Sequence, residues 1–360
     1  MPSRQPVWAI AAPVGALVIL AAKYSGLVQA DAPAILILAA IFLFGAVFAA
    51  VYHAEVIARR VGEPFGSIVL AIAVTVIEVA LIISMMVAAK HGGGTLARDT
   101  VYAAMMIVLN GVVGLCLMFG GARHHEQSFQ EQGAATSLSV LGTLGVIALI
   151  LPNYTLAIPG PFYTSLQLVF VGIGSLCLYG VFLFVQTIRH RDYFIGPEAD
   201  ETHSGGTPAA SAAALSLAML AIALAAVVLL AKTLSPALEQ AVAAAGLPPA
   251  FVGVVIAALV LLPEGTAAIR AARANQVQTS LNLALGSALA TIGLTIPAVA
   301  AVSLWLEQRL TLGLGAAETT LLILTLSISS VTLATGRTTI LQGAVHLVIF
   351  AVFLLLSAIP

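Results

Sequence analysis

The chain has 360 residues, 61% of them hydrophobic and 8% charged, whereas soluble domains carry about 25% charged residues. With a mean hydropathy of +1.09 and a formal net charge of −1, this composition excludes a water-soluble enzyme, a nucleic-acid binder and a disordered chain. What remains is an all-α polytopic membrane protein, because the apolar runs are long and continuous and lack the alternation of barrel strands.

The first apolar run, 7–22, follows Arg4 and ends in Ala21-Ala22-Lys23-Tyr24. That end is a poor cleavage site for a signal peptide, so the run reads as a first span. Further spans are expected at 32–52, 65–89, 99–120, 134–151 and 162–188. The most polar stretch, 189–208, follows and reads as an exposed connector. The second half gives spans at 209–232, 249–273, 280–303, 315–333 and 338–358, for a total of about eleven. The expected divisions are an N-terminal helix in 1–30, a first membrane half in 31–188, the connector, and a second half in 209–360. With the N-terminus inside, nine Lys and Arg fall in cytoplasmic segments and five outside. The bias of basic residues toward the inside then places the connector in the cytoplasm and the C-terminus outside. The expected location is a bacterial inner membrane, with the lipid bilayer as the surrounding partner and no nucleic acid.

Two acidic residues lie in the middle of apolar runs. Glu78 and Glu264 stand at the same offset from a Phe at the start of their span, Phe65 and Phe251 respectively. At the helical rise of about 1.5 Å per residue that offset is ~20 Å, near the bilayer midplane. A charge there costs about 3 kcal/mol on insertion scales. A protonated structural glutamate is a fair reading of one such residue, and a poorer reading of two at matching depth. Pro263 and Gly265 flank Glu264 and are expected to break the helix, freeing backbone carbonyls for a cation. Thr75 stands one turn before Glu78 and offers a hydroxyl. Asn110 with Gly111 and Gly114, and Gly286 with Ser287 and Gly293, follow at similar depth; taken alone, those glycines indicate packing.

The halves also look like copies. Phe65…Glu78…Gly114-Leu115 runs parallel to Phe251…Glu264…Gly293-Leu294. Five spans separate the copies, an odd number, so they cross the membrane in opposite senses. Two inverted five-helix repeats plus an extra N-terminal helix result, with the site at the repeat interface.

These residues carry a family likeness. The sequence resembles the cation/proton exchangers of the calcium/cation antiporter superfamily, most of all the bacterial Cha-type calcium/proton antiporters. The second repeat core, about 248–303, holds Pro263-Glu264-Gly265-Thr266-Ala267-Ala268-Ile269-Arg270 and Leu285-Gly286-Ser287-Ala288. The first, about 62–121, holds Gly62-Glu63-Pro64-Phe65-Gly66 and Thr75-Val76-Ile77-Glu78. Supporting marks are Gly120-Gly121-Ala122-Arg123-His124-His125-Glu126-Gln127, Gln186-Thr187-Ile188-Arg189-His190 and Gln342-Gly343-Ala344. The resemblance implies a cation and proton site at Glu78 and Glu264, supported by Thr75, Asn110, Ser287, Pro263, Gly265 and Gly286. It implies no cofactor, and it implies Ca²⁺ and H⁺ as the transported ions. Ile107-Val108 and Ala290 stand where plant and fungal members have Gly-Ser and Gln. Side-chain oxygens are therefore fewer, while Ca²⁺ takes 6–8, so Na⁺ and K⁺ remain open alternatives.

His124, His125 and Glu126 form a candidate cytoplasmic sensor, and Glu198, Asp200 and Glu201 in the connector are candidate cation recruiters; solvated loops are the plainer reading of both. His346 reads as a packed histidine in the last span, and Glu318 as a hydrogen-bonded carboxylate. Cys116 and Cys177 read as buried reduced thiols. A membrane hydrolase lacks its nucleophile and base here. A cation channel would more naturally repeat one site in a symmetric ring. The sequence does not set the oligomeric state.

Overall fold

The structure is a computed structural model describing residues 5–26, 32–62, 65–88, 93–195 and 208–360. In lipid no water satisfies backbone polar groups, so continuous apolar runs close their own hydrogen bonds as helices. Eleven helical segments among the described residues are long and apolar enough to cross a membrane. They are built from α1 (Val7–Tyr24), α2 (Pro33–Val61), α3 (Phe65–Ala88), α4 (Gly93–Met106), α5 (Val113–His124), α6 (Glu131–Gly145), α7 (Ser165–Phe184), α8 (Ala210–Ala244), α9 (Phe251–Arg273), α10 (Val277–Trp305), α11 (Ala316–Leu333) and α12 (Ile340–Ala358). A π-helical stretch, Ile107–Val112, joins α4 to α5 as one span, and a second, Val146–Ile150, extends α6. After the extra α1, five spans run from α2 to α7 and five from α8 to α12. Glu78 and Glu264 thus sit in the second helix of each set.

Most span ends fall within a few residues of expectation. Two helices are longer. The expected span 32–52 continues to Val61, carrying Glu55, Arg59 and Arg60 on its last turns. The span expected to stop at 232 continues as α8 to Ala244, through Pro236. Ala, Glu and Lys keep those stretches helical after the apolar signal fades.

The chain forms two compact units, each drawing on both sequence halves. One comprises residues 1–93 and 205–252 and packs α2 against α1, α3 and α8. Its core includes Ala46, Val47, Ala50 and Ala54 of α2 and Ala223, Ala226 and Val227 of α8, all at 1% exposure or less. Small side chains let these helices approach closely. The other unit comprises residues 94–204 and 253–360. There α10 packs against α6 and α7, and α12 against α5. Short strands β1 (Gln127–Ser128) and β2 (Arg337–Thr338) pair antiparallel, tying the turn after α5 to the turn before α12. Thr339 caps α12: its hydroxyl accepts from Gln342 N–H, while its own N–H donates to Gln342 Oε1 at 2.9 Å. The Gln342-Gly343 mark is therefore a helix start.

Candidate functional site

In α3 of the first unit, Glu78 lies just past the middle of the helix and is 3% exposed. Thr75, one turn earlier, is 4% exposed, and its hydroxyl donates to the Ala71 carbonyl at 2.9 Å. Its oxygen keeps lone pairs for a further partner. Ile77, Leu81 and Ile82 beside Glu78 are at 2% exposure or less. A carboxylate in such surroundings needs a proton or a cation to be tolerated.

In the second unit, Glu264 occupies the same place in α9, just past the middle of a helix that also starts at a phenylalanine, Phe251. Both of its carboxylate oxygens are shielded from solvent. The expected helix break is corrected: α9 runs unbroken through Pro263, Glu264 and Gly265. Neighbouring turns hold the helix together, and the Thr266 hydroxyl donates to the Pro263 carbonyl at 2.9 Å. Proline still supplies no N–H, so the Leu259 carbonyl lacks its ordinary helical donor. Gly265 permits close approach, since a Cβ there would stand 3.2 Å from Val112 Cγ2. The Glu264 turn therefore packs on the π-helical stretch Ile107–Val112.

That stretch is one of three π-helical segments among the described residues, beside Val146–Ile150 and Val185–Arg189, and it is the one that packs on the Glu264 turn. The Val113 N–H reaches back five residues to the Val108 carbonyl. π-Bulges of this kind are rare and occur often at functional sites. Asn110 sits in its middle, at 0% exposure. Its amide donates to Thr325 Oγ1 at 2.9 Å, and its Oδ1 faces His346 Nδ1 at 3.1 Å. The Asn110 side chain is thus engaged by α11 and α12. Gly111 and Gly114 serve packing: a Cβ on either would stand 3.1–3.3 Å from Phe350, His346 or Leu347.

In α10, the Ser287 hydroxyl is shielded from solvent. A Cβ at Gly286 would meet nothing within 4 Å, so open space adjoins this turn.

The remaining candidates find other partners or fall outside the described residues. His124 Nε2 lies 3.1 Å from the Arg273 carbonyl. His125 takes φ 64° to turn the chain after α5. Glu126 forms an exposed ion pair with Arg337 at 3.5 Å. Among the described residues no three His, Cys, Asp or Glu gather in a way that could hold a metal ion. Glu198, Asp200 and Glu201 lie outside the described residues, as do Glu63 and Pro64. Glu318 accepts the Gly315 N–H at 2.7 Å and caps α11. Cys116 is buried as expected; Cys177 is exposed, correcting the reading of two buried thiols.

The network around His346 is not legible as a unit in the sequence. Its one sequence signal is the spacing of Thr325, Ser329 and Thr332, which places three small polar residues on one face of α11. All three are buried.

Known proteins align with this arrangement. The profile of the sodium/calcium exchanger protein family matches residues 32–188 and again 215–359, one match for each five-span set. A Sinorhizobium fredii protein, y4hA, whose name assigns it to ionic transport, is 54% identical over 99% of this chain and 97% of its own length. The sodium-potassium/proton antiporter ChaA of Escherichia coli K12 is 36% identical, covering 95% of this chain and 94% of its own. The solved structure of native YfkE aligns with a TM-score of 0.74 at 15% identity, covering 98% of this chain and 100% of that one. The crystal structure of the H⁺/Ca²⁺ exchanger CAX aligns at 0.73 and 16% identity, over 96% and 86%. The double profile match and the relatives together place the chain in the sodium/calcium exchanger protein family.

Proposed function

We propose that this chain is a secondary active antiporter that exports Ca²⁺ in return for protons, with Glu78 and Glu264 as its shared cation and proton ligands. The observation that carries this reading is the burial of a carboxylate at the same position of the second helix in each family repeat. Ionised, the two acids bind a cation. Without one, each ionised carboxylate sits in a poorly solvating interior, and protons neutralise them. An ionised, empty site is costly to carry through the membrane, which couples the two fluxes. The inverted repeats would rock to expose the site alternately. The membrane is the bacterial inner membrane, with the N-terminus and the 189–208 connector in the cytoplasm and the C-terminus outside. The similarity throughout is to transporters, not enzymes.

A second reading replaces Ca²⁺ with Na⁺ or K⁺, and the name of the Escherichia coli relative favours it. A more distant relative, from Aphanothece halophytica, carries the name Ca²⁺/H⁺ antiporter and is 24% identical over 74% of this chain. The deciding experiment records proton release from everted vesicles pulsed with Ca²⁺, Na⁺ or K⁺. The proposal expects Ca²⁺ to act at the lowest half-saturating concentration. Lower values for Na⁺ or K⁺ would select the second reading.

Pro263→Ala tests whether a backbone carbonyl completes the shell. Alanine restores an N–H for the Leu259 carbonyl and withdraws that oxygen from the site. Losing one of 6–8 oxygens is expected to raise the half-saturating Ca²⁺ concentration on the order of tenfold, with a smaller change for a monovalent ion. An unchanged Ca²⁺ value would leave the proline with a shape role only.

A further inference from the structure

The π-helical stretch Ile107–Val112 faces the Glu264 turn on one side, through Val112 and Gly265. On the other side it is held by a buried polar network. His346 of α12 places Nδ1 3.1 Å from Asn110 Oδ1 and Nε2 3.2 Å from Thr332 Oγ1. Asn110 Nδ2 donates to Thr325 Oγ1 at 2.9 Å. His346, Asn110 and Thr325 are at 0% exposure and Thr332 at 5%.

These partners define the ring's chemistry. With the Asn110 amide nitrogen committed to Thr325, its oxygen can only accept, so His346 Nδ1 carries the hydrogen. Nε2 of the neutral ring then accepts from the Thr332 hydroxyl. Every group in the chain Thr332–His346–Asn110–Thr325 has a partner. A π-turn holds one residue more than the α-turn it replaces. If it relaxed to α-helix, every residue before it would rotate by about 100° relative to Val112.

We propose that His346 is a positioning residue of the cation site: through Asn110 it holds the π-helical turn in the register against which Glu264 is set. This rests on Glu264 being a ligand. His346 touches neither cation nor proton in transit. Its hydrogen-bond partners are Asn110 and Thr332, neither of them charged.

The test uses the full chain, purified into liposomes, with Ca²⁺-driven proton movement read by an internal pH dye. Four variants are compared: Glu264→Gln, His346→Leu, His346→Asn and His346→Gln. An asparagine amide can occupy the place of Nδ1, whereas a glutamine amide reaches the place of Nε2. His346→Leu is expected to raise the half-saturating Ca²⁺ concentration by about tenfold or more, and His346→Asn to restore it to within about threefold of the unaltered chain, with His346→Gln failing to do so. The maximal rate should change less than the half-saturating value. Size-exclusion profiles in detergent check that each variant is folded. If His346→Leu exchanges like the unaltered chain, or if Asn and Gln rescue equally, the positioning role is overturned. If His346→Leu does not fold, the comparison of His346→Asn with His346→Gln decides alone. Failure of the two-glutamate reading is distinguishable, because exchange would then survive Glu264→Gln.

Discussion

Glutamine in place of Glu78 or Glu264 is expected to abolish exchange while leaving the protein inserted. The substitution preserves shape and removes two properties at once. An amide does not titrate, so the group can no longer carry a proton. It is also uncharged, so a divalent cation loses one of its two compensating charges in a setting where charge is poorly solvated. A hydrogen bond to a charged group contributes about 1.5–3 kcal/mol, so cation affinity alone should fall roughly ten- to a hundredfold. Coupled proton flux should fall further, to background. Everted vesicles with a pH dye read the flux, and an immunoblot of washed membranes reads insertion. Normal exchange in either variant would remove that residue from the site.

Adding one methyl group to Gly343 is expected to destabilise the second unit strongly. A Cβ there would lie 2.6 Å from the Met118 nitrogen and 2.9 Å from the Gly114 carbonyl oxygen, so it meets backbone that cannot rotate away. Helices in lipid associate through close packing of small residues. Forcing α12 off α5 also strains the wall that carries His346. Overpacking costs typically about 1–3 kcal/mol, and a backbone clash belongs at the upper end or beyond. Gly286→Ala is the matched control, because its Cβ enters open space. Thermal unfolding in detergent should show Gly343→Ala melting well below the unaltered chain and Gly286→Ala close to it. Equal melting of the two variants would mean that α5 and α12 adjust freely.

The spans and the two mid-helix glutamates are legible in the sequence because lipid imposes one strong rule: long apolar stretches become helices, and a carboxylate inside one stands out against them. The five-span repeat is legible for the same reason, in the matched offsets of Glu78 and Glu264. The ends of α2 and α8 are not, since helix-favouring Glu, Arg, Ala and Lys extend both helices past the point where hydrophobicity marks the membrane edge. Pro263 misleads through local preference: proline and glycine on either side of Glu264 favour a break, but the neighbouring turns keep α9 continuous through them. Asn110 stands out as a polar residue at depth, yet its partners, Thr325 and His346, belong to the last two helices and are remote from it in sequence. The π-turn around it has no composition of its own, being Ile-Val-Leu-Asn-Gly-Val. Such contacts emerge only when the helices are packed.

Obligatory exchange of cation for proton is measured in liposomes holding the purified chain, with membrane voltage clamped by an ionophore and a Ca²⁺ gradient imposed. Protons are expected to move opposite to Ca²⁺, with both fluxes lost together in Glu78→Gln and Glu264→Gln. Ca²⁺ flux that proceeds without any counterflow of protons would contradict obligatory exchange and assign the two glutamates to a channel.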